Sequence, residues 1–356
     1  MNPNEQKLNY PLGDRQPEPG RAIGVADGVY WLRMPLPFVL DHINLWLLRD
    51  EIDGRQGWTV VDCGIARDEV RTRWEEVFEH VLEGLPILRV VVTHMHPDHV
   101  GLAYWLCERW QAPLWMSMTD YALARLWCGA SSSGPEGGGP AGETAVQHLA
   151  RHGLLNPEDQ RYIRQRHDYY SGLVPAVPSS FHRLLNGQSL RIGGREWRVI
   201  VGYGHAPEHV SLSCPALGVL ISGDMVLPRI STNVSVFDLE PEANPLPLYL
   251  DSLKAYDSLA ADTLVLPSHG QPFKGLHERL AQQHAHHAER LEALLAACGE
   301  PVSAVDILPV LFSRKLDAHQ LAFAMGEAIA HLHALYFEGK LRRDVDAQGV
   351  YRFQRV

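Results

Sequence analysis

The feature that most constrains this chain is the stretch VVVTHMHPDHVG, which runs from Val90 to Gly101. An apolar, β-branched run leads directly into four side chains that bind metal well: His94, His96, Asp98 and His99. Pro97 stiffens the turn, and Gly101 lets the chain pass into a following helix. The stretch therefore predicts a buried strand that ends in a metal-binding turn.

Three more residues of the same chemical type follow apolar runs later in the chain. His205 lies after 196–204, Asp224 after 217–223 and His269 after 263–267, and we interpret each run as a strand. The carboxyl ends of such strands gather on one rim of an α/β sheet. Five histidines and two aspartates exceed the needs of one tetrahedral ion, so they could hold two divalent ions with Asp224 between them. Imidazole and carboxylate ligands without cysteine suit Zn²⁺, and also Fe or Mn.

Strand and helix patterns alternate along most of the chain, which indicates an α/β layered fold. Residues 119–185 interrupt the alternation with helical stretches around a Gly/Ser-rich loop at 131–142, and we interpret them as an insertion over one face. From residue 276 onward, three helical patterns and a hairpin with the turn DAQG form a winged-helix pattern. We therefore predict a polar tail at 1–21, a catalytic domain at 22–275 and a winged-helix-like domain at 276–356.

Composition narrows the class of function. The chain has 356 residues with a net charge of −10 and a sequence pI near 6.0, which disfavours a general polyanion binder. The five cysteines are scattered without metal-ligand spacing, and the first twenty residues lack the apolar core of a secretory signal. No run approaches the length of a membrane span. We expect a cytoplasmic protein with reduced thiols.

Four ordered motifs carry a resemblance to a known family: THMHPDHVG, GYGHAPEHVS, ISGDMV and LPSHGQP. Together with VVDCG, which contains Asp62, they resemble the metallo-β-lactamase fold superfamily over about residues 22–275. The resemblance implies an αββα sandwich with a dinuclear metal site at one edge. It implies that one metal is bound by His94, His96 and His205, and the second by Asp98, His99 and His269, with Asp224 as the bridge.

The expected activity is hydrolysis by a hydroxide held between two metal ions, since two cations make hydroxide available near neutral pH. Asp98 could orient this nucleophile and pass a proton to the leaving group. Asp62 is expected to fix a ligand or its loop, and His209 to be structural or to support a ligand. Glu208 stands where the family often has Gly, so access to the site could differ there.

The C-terminal stretch resembles the branch of the superfamily similar to lactamase-β-like protein 2, which includes glyoxalase II-like hydrolases and single-strand ribonucleases. The favoured hypothesis is a hydrolase of a small ester or thioester, of acyl-CoA or acyl-glutathione type, with Tyr169, Tyr170 and Trp127 lining an apolar pocket. An endoribonuclease would need a basic groove, supplied by Arg161, Arg164, Arg166 and Arg183.

A third hypothesis, a persulfide dioxygenase with one iron, would leave part of the ligand set unused. The C-terminal winged helix could bind nucleic acid, but packing against the catalytic domain or another subunit is the favoured interpretation. The branch resemblance also suggests a homodimer.

Overall fold

A computed structural model describes residues 4–128, 140–165, 169–313 and 315–356. In the described chain, the first sheet follows chain order: β1 (Ile23–Ala26), β2 (Val29–Pro35), β3 (His42–Ile52), β4 (Arg55–Val61), β5 (Ile87–Val91), β6 (Leu114–Met116) and β7 (His182–Arg183). Strands β1 to β4 pair antiparallel, and β4 to β7 pair parallel. The crossovers between the parallel strands are helical, as parallel pairing requires.

The second sheet begins with β8 (Ser189–Ile192), β9 (Arg195–Gly202) and β10 (His209–Cys214), and continues with β11 (Val219–Gly223) and β12 (Leu264–Pro267). Their spatial order is β12-β11-β10-β9-β8, and only the β11–β12 pair among these is parallel. Our sequence analysis missed β10 and began the next strand at residue 217, whereas β11 begins at Val219. A turn at Pro215–Leu217 separates β10 from β11.

Helices account for the rest of the regular structure. They are α1 (Asp68–His80), α2 (Pro97–Val100), α3 (Ala103–Trp110), α4 (Met118–Cys128), α5 (Pro140–Arg151), α6 (Pro157–Gln165), α7 (Tyr169–Leu173), α8 (Pro245–Leu253), α9 (Leu276–Ala297), α10 (Leu308–Leu311) and α11 (Ala318–Phe337). A hairpin of β13 (Leu341–Val345) and β14 (Tyr351–Arg355) ends the chain. Within the described ranges, no helix is long and apolar enough to cross a membrane.

The predicted αββα sandwich is confirmed by the position of the buried side chains. Residues such as Trp46 and Val61 of the first sheet and Val210 and Ile221 of the second share one apolar cluster between the sheets. The opposite faces of the sheets form two further clusters, one with α1 and α3 and one with α8, α9 and α11. Alternating strand residues thus bury both faces of each sheet, as a four-layer arrangement demands.

The predicted insertion at 119–185 covers more than one face. Helices α4 and α7 pack into the cluster beside the first sheet through Ala124 and Leu173. Helices α5 and α6 pack into the cluster beside the second sheet, through Leu149 and Ile163. The segment therefore contacts both outer layers. Most of the predicted loop at 131–142 lies outside the described residues, although α5 already begins at Pro140.

The C-terminal elements share a core with the second sheet. Met325 and Ile329 of α11 belong to the same cluster as Leu220 and Val265, and all four side chains are fully buried. This contact agrees with the interpretation that the C-terminal region packs on the catalytic domain. The order of helices and hairpin follows the sequence pattern, while the winged-helix assignment and the domain boundary at 275/276 stay predictions.

One rim of the sandwich collects the chemically important strand ends. β4 and β5 run in parallel, and they end just before Asp62 and the histidine turn, respectively. In the other sheet, β9 and β11 are both antiparallel to β10 and thus run the same way, as does β12. His205, Asp224 and His269 follow these three strands. Strand direction alone therefore places the predicted ligands of each sheet at a common edge.

Candidate metal centre

The structure brings all seven predicted ligands together in three overlapping groups. The groups are His94 with His96 and His205, His94 with His99 and Asp224, and Asp98 with His99 and His269, and in each the ligand atoms lie within 4.8 Å of one another. The first and third groups correspond to the two metal sites expected from the sequence. The second group joins the other two, because it shares His94 with the first and His99 with the third. The role of these residues as ligands stays a prediction, but their convergence is a property of the fold.

Asp224 lies between the two sites. Its Oδ2 is 3.4 Å from Nε2 of His205, and its Oδ1 is 3.5 Å from Nε2 of His269 and 3.6 Å from Nε2 of His99. Each carboxylate oxygen therefore faces a different group of histidines. A carboxylate in this position can bridge two cations, which is the role that the sequence predicted.

The donor atoms at the centre fit a divalent metal. Nε2 of His99 and Oδ1 of Asp224 are buried and have no hydrogen-bond partner among the described residues. An unpartnered polar atom in the protein interior is costly, and a bound cation removes that cost. Nε2 of His94 also lies 2.9 Å from Nδ1 of His96 and 3.1 Å from Nε2 of His205. Three imidazole nitrogens facing one point are the donor set that Zn²⁺ prefers.

Hydrogen bonds on the side away from the centre fix the ring orientations of His205 and His269. Nδ1 of His205 donates to the carbonyl oxygen of Asn233 at 2.7 Å, and Nδ1 of His269 donates to that of His42 at 2.8 Å. In both rings the remaining Nε2 is therefore unprotonated in the neutral form and points into the centre. Such partners set the tautomer and the angle of a metal-binding imidazole.

Asp62 holds the histidine turn in place. Its carboxylate accepts hydrogen bonds from the backbone N–H and the hydroxyl of Thr93 and from Nδ1 of His99. The side chain is 1% exposed, and its backbone is left-handed with φ of 64°. A left-handed aspartate is uncommon, and here it turns the carboxylate back towards the next strand. These contacts join Asp62 to the histidine turn, and its role as a supporting residue stays a prediction.

His209 supports Asp224 rather than facing the centre as a ligand. Its Nε2 accepts the backbone N–H of Asp224 at 3.0 Å, and its ring packs on that of His94 at 4.8 Å. A Cβ on Gly223 would lie 2.3 Å from this Nε2, and Gly223 has φ of +55°. The Gly in the motif ISGD is therefore required both by backbone conformation and by contact with His209.

Burial and neighbouring charges act in opposite directions on the pKa values of Asp98 and His99. Burial alone would raise the pKa of the Asp98 carboxyl, but the neighbouring His99 and His269 rings lower it to about 2. Burial would likewise lower the pKa of His99, yet the surrounding carboxylates, Asp62 foremost, raise it to about 9. Burial lowers the pKa of His96 to about 3. A cluster with anionic carboxylates and an attached proton can exchange that proton for a cation.

Several supporting residues escaped the sequence analysis. Asp120 in the first turn of α4 is fully buried, and it accepts the backbone N–H groups of Met95 and Glu208 at 2.8 and 2.7 Å. It thereby joins the His94–His96 turn to the loop after His205. Burial raises the pKa of Asp120 to about 6. An acidic residue at a helix start is too common a pattern to have revealed this role.

The loop that carries His269 is held by β2 and β3. Asn44 donates from Nδ2 to the carbonyl oxygens of Pro267 and Gly270, and Arg33 donates from Nη2 to the carbonyl oxygen of Gly270. Asn44 is fully buried near the start of the apolar strand β3. A polar residue in such a run was the available signal, because buried amides occur where their hydrogen bonds are needed.

The two predicted aromatic contacts differ in position. The hydroxyl of Tyr170 donates to the carbonyl of Met95 at 2.6 Å, so it braces the turn between His94 and His96. The Tyr170 ring also meets Trp127 at 5.2 Å, and Trp127 meets Phe237 at 6.5 Å. Tyr169 packs on Phe38 with ring centroids 6.1 Å apart. Substrate contact by Tyr169 and Tyr170 stays a prediction. The structure adds Phe237 to this group of aromatic side chains through its contact with Trp127.

The αββα fold with a His/Asp cluster at its rim defines a class of metal-dependent hydrolases. Residues 39–269 match the family model for the Metallo-beta-lactamase superfamily, and residues 291–356 match the model for the Metallo-beta-lactamase-like, C-terminal domain. The chain belongs to the metallo-beta-lactamase superfamily. It is a hydrolase of that family, with His and Asp groups suited to divalent metal.

Relatives extend over nearly the whole chain. A crystal structure of a beta-lactamase domain protein from Burkholderia ambifaria is 55% identical, covers 99% of both chains and superposes with a TM-score of 0.92. A metallo-beta-lactamase family protein from Thermus thermophilus is 28% identical, with a TM-score of 0.75 over 94% of this chain and all of the other. The probable metallo-hydrolase YqjP of Bacillus subtilis is 22% identical across 92% of this chain and 98% of YqjP.

Proposed function

We propose that this chain binds two divalent cations, Zn²⁺ being the ion best suited to the donor set, and hydrolyses a small ester or thioester. The observation that carries the proposal is Asp224, whose two oxygens face separate groups of histidines. His94, His96 and His205 would hold one ion, and Asp98, His99 and His269 the other. A bound pair of cations supplies Lewis acidity, which lowers the pKa of water and polarises a substrate carbonyl.

Asp98 is the carboxylate best placed to handle a proton. Its Oδ2 lies 3.4 Å from His269 Nε2 and 3.6 Å from His99 Nε2, and its side chain is 19% exposed against 10% for Asp224. The greater exposure gives Asp98 access to solvent and to a leaving group. Asp98 therefore orients the attacking water and passes a proton to the departing alkoxide or thiolate.

The surroundings of the turn favour a substrate with an apolar part. Tyr170 contacts the backbone of Met95 and continues through Trp127 to Phe237, which is 43% exposed. The rings of Tyr170, Trp127 and Phe237 form a continuous row, which we call the aromatic wall. The wall starts at the His94–His96 turn and ends in solvent. An acyl chain can lie along such a wall while its carbonyl reaches the centre.

The proposed basic groove for RNA has little support in the described residues. Arg164 pairs with Glu143 at 3.0 Å, and Arg183 lies 4.0 Å from Glu208. Arg161 is exposed, and Arg166 lies outside the described residues. Pairing with carboxylates reduces the positive charge available to phosphates, and the net charge of −10 acts in the same direction. The small-molecule function is therefore the proposal.

A paired assay on one metal-quantified preparation tests it. Acyl-CoA, acyl-glutathione and lactone substrates would be compared with labelled single-stranded RNA, using His96→Ala beside the exposed-site control His277→Ala. We expect ester or thioester turnover that His96→Ala removes and His277→Ala retains. RNA cleavage lost in His96→Ala would favour the nuclease instead. One iron per chain with sulfur-dependent oxygen uptake would favour the mononuclear dioxygenase.

A further inference from the structure

A short segment links the metal centre to the C-terminal region. The segment comprises residues 232–236 and begins eight residues after Asp224. The hydroxyl of Thr232 donates to the carbonyl of Asp224 at 2.5 Å. The next residue, Asn233, accepts Nδ1–H of His205 on its own carbonyl at 2.7 Å. Two predicted ligands from different strands therefore depend on adjacent residues of one segment.

The side chain of Asn233 is held in turn by two partners. Its Oδ1 accepts the hydroxyl of Ser235 at 2.8 Å, and its side-chain amide interacts electrostatically with the nearby carboxylate of Glu327 on α11. Glu327 is 8% exposed, so this interaction lies in the protein interior, where electrostatic interactions are stronger than at the surface. The orientation of Asn233, and with it the carbonyl that faces His205, is thus tied to α11.

The neighbouring residue of α11 sets the distance between helix and segment. Gly326 accepts the backbone N–H of Val236 at 3.2 Å, and a Cβ built on Gly326 would lie 2.7 Å from Cβ and Oγ of Ser235. Only glycine allows the helix to approach so closely, because any side chain would push the segment away. The close approach brings Glu327 within reach of Asn233.

We propose that Gly326 and Glu327 of α11 are positioning residues for the metal centre, acting on His205 and Asp224 through segment 232–236. The inference rests on the ligand set of the proposed function, but it does not depend on the substrate. It also assigns a role to the C-terminal region, because α11 lies within residues 291–356, which match the C-terminal family model. Neither residue contacts the centre directly.

The experiment compares two variants that differ in one acceptor. Glu327→Gln keeps an oxygen for the Asn233 amide, and Glu327→Met has similar length but no acceptor, while both remove the ionisable carboxyl. Gly326→Ala tests the close approach, with Gly299→Ala as its control, since a Cβ at Gly299 meets nothing within 4 Å. Zinc affinity is measured by competition with a chromogenic chelator, and the melting temperature is measured on metal-free protein.

We expect Glu327→Met to bind zinc up to ~10-fold more weakly than Glu327→Gln, the lower end of the loss that follows removal of a direct partner of a ligand, because Glu327 acts through Asn233. Gly326→Ala should weaken zinc binding in the same way, and Gly299→Ala should not. Equal zinc affinity of the Met and Gln variants would overturn the inference, as would a loss that only parallels a lower melting temperature of the metal-free protein. If Gly326→Ala does not fold, the Glu327 pair decides.

The outcomes separate this inference from the proposed function. A wild-type chain that binds zinc but hydrolyses none of the esters or thioesters would contradict the proposed substrate and leave the inference standing. A wild-type chain that binds no zinc would remove both, since the ligand set itself would then be wrong.

Discussion

The carboxylate of Asp62 accepts a hydrogen bond from Nδ1 of His99 at 2.8 Å, although the two residues are 37 positions apart along the chain. In the neutral ring, the bond places the proton of His99 on the side away from the centre, so Nε2 faces Asp98 and Asp224. The same carboxylate receives the backbone N–H of Thr93. One buried residue therefore fixes both the start of the histidine turn and the tautomer of its last histidine.

Asp62→Asn should weaken metal binding more than it changes the fold. The amide removes the negative charge opposite His99 and offers only one oxygen, so we expect a ~10- to 100-fold loss of zinc affinity. Chelator competition measures the loss, with the exposed Asp262→Asn as a control for an equivalent change of charge. Unchanged zinc affinity in Asp62→Asn would show that the hydrogen bond to His99 does not position a ligand.

Asp224→Ala should abolish hydrolysis while leaving the secondary structure intact. The change removes the only described carboxylate that faces both groups of histidines, so neither ion would be held in its geometry. We expect turnover to fall to the no-enzyme level and the metal content to drop below that of wild type. Turnover assays and elemental analysis check this, and circular dichroism shows whether the fold persists. Wild-type turnover in this variant would contradict the dinuclear arrangement.

Gly223→Ala should damage the centre through His209. A methyl group there would lie 2.3 Å from His209 Nε2, so the hydrogen bond to the Asp224 N–H must break or the strand end must shift. Gly194→Ala is the matched control, because Gly194 also has positive φ, 75°, but open space around it.

We expect both variants to lose about 1–3 kcal/mol of unfolding free energy from backbone strain. Only Gly223→Ala should also lose metal affinity and turnover. Equal metal affinity in the two variants would show that the contact with His209 does not matter for the centre.

Stability should fall as the pH is lowered below 6.5, partly because of His152. This ring is 1% exposed, its Nδ1 has no hydrogen-bond partner among the described residues, and it lies beside the rings of His148 and His333. Burial lowers the pKa of His152 from 6.5 to about 2, and the two neighbouring histidines act in the same direction. Arg343 and Arg151 lower this pKa as well. The carboxylates nearby act on the neighbouring rings, since Asp238 favours the charged form of His148 and Glu242 that of His333.

Only the unfolded chain takes up this proton between pH 6.5 and 2. The contribution of His152 is therefore complete above pH 6.5 and is lost as the pH falls through that window, by about 2 kcal/mol at pH 5. Urea unfolding at pH 7.5 and pH 5 measures the loss in wild type, in His152→Leu and in the exposed control His277→Leu. A smaller loss in His152→Leu alone is expected, and an identical loss in all three would refute the assignment.

The aromatic wall should govern preference for apolar substrates. Phe237→Ala removes an exposed ring at the outer end of the wall, so KM should rise for long acyl chains and change little for acetyl esters. Leu239→Ala, at another exposed apolar side chain nearby in sequence, is the control. A shift of kcat with no dependence on chain length would show that Phe237 acts on the centre and does not contact the substrate.

Much of the fold could be predicted from local patterns. β5, α1 and the hairpin β13–β14 follow apolar periodicity and turn residues that are continuous in the sequence. β10 was missed although HVSLSC alternates apolar and polar residues, with Val210 and Leu212 in the core between the sheets. The alternating pattern is only 6 residues long. It directly follows the loop motif around His205, so it did not stand out as a strand. The insertion at 119–185 stays a prediction along the chain, and its described helices pack on two different layers and not over one face.

By itself, the sequence determined the ligand types and their position at strand ends, because residue identity and strand periodicity are local properties. Tertiary structure alone decided which atoms meet: Asp62 with His99, Asn44 with the loop of His269, and Gly326 with Val236. These contacts join residues far apart in the chain. They depend on how sheets and helices pack, and buried polar groups reveal their partners only once that packing is known.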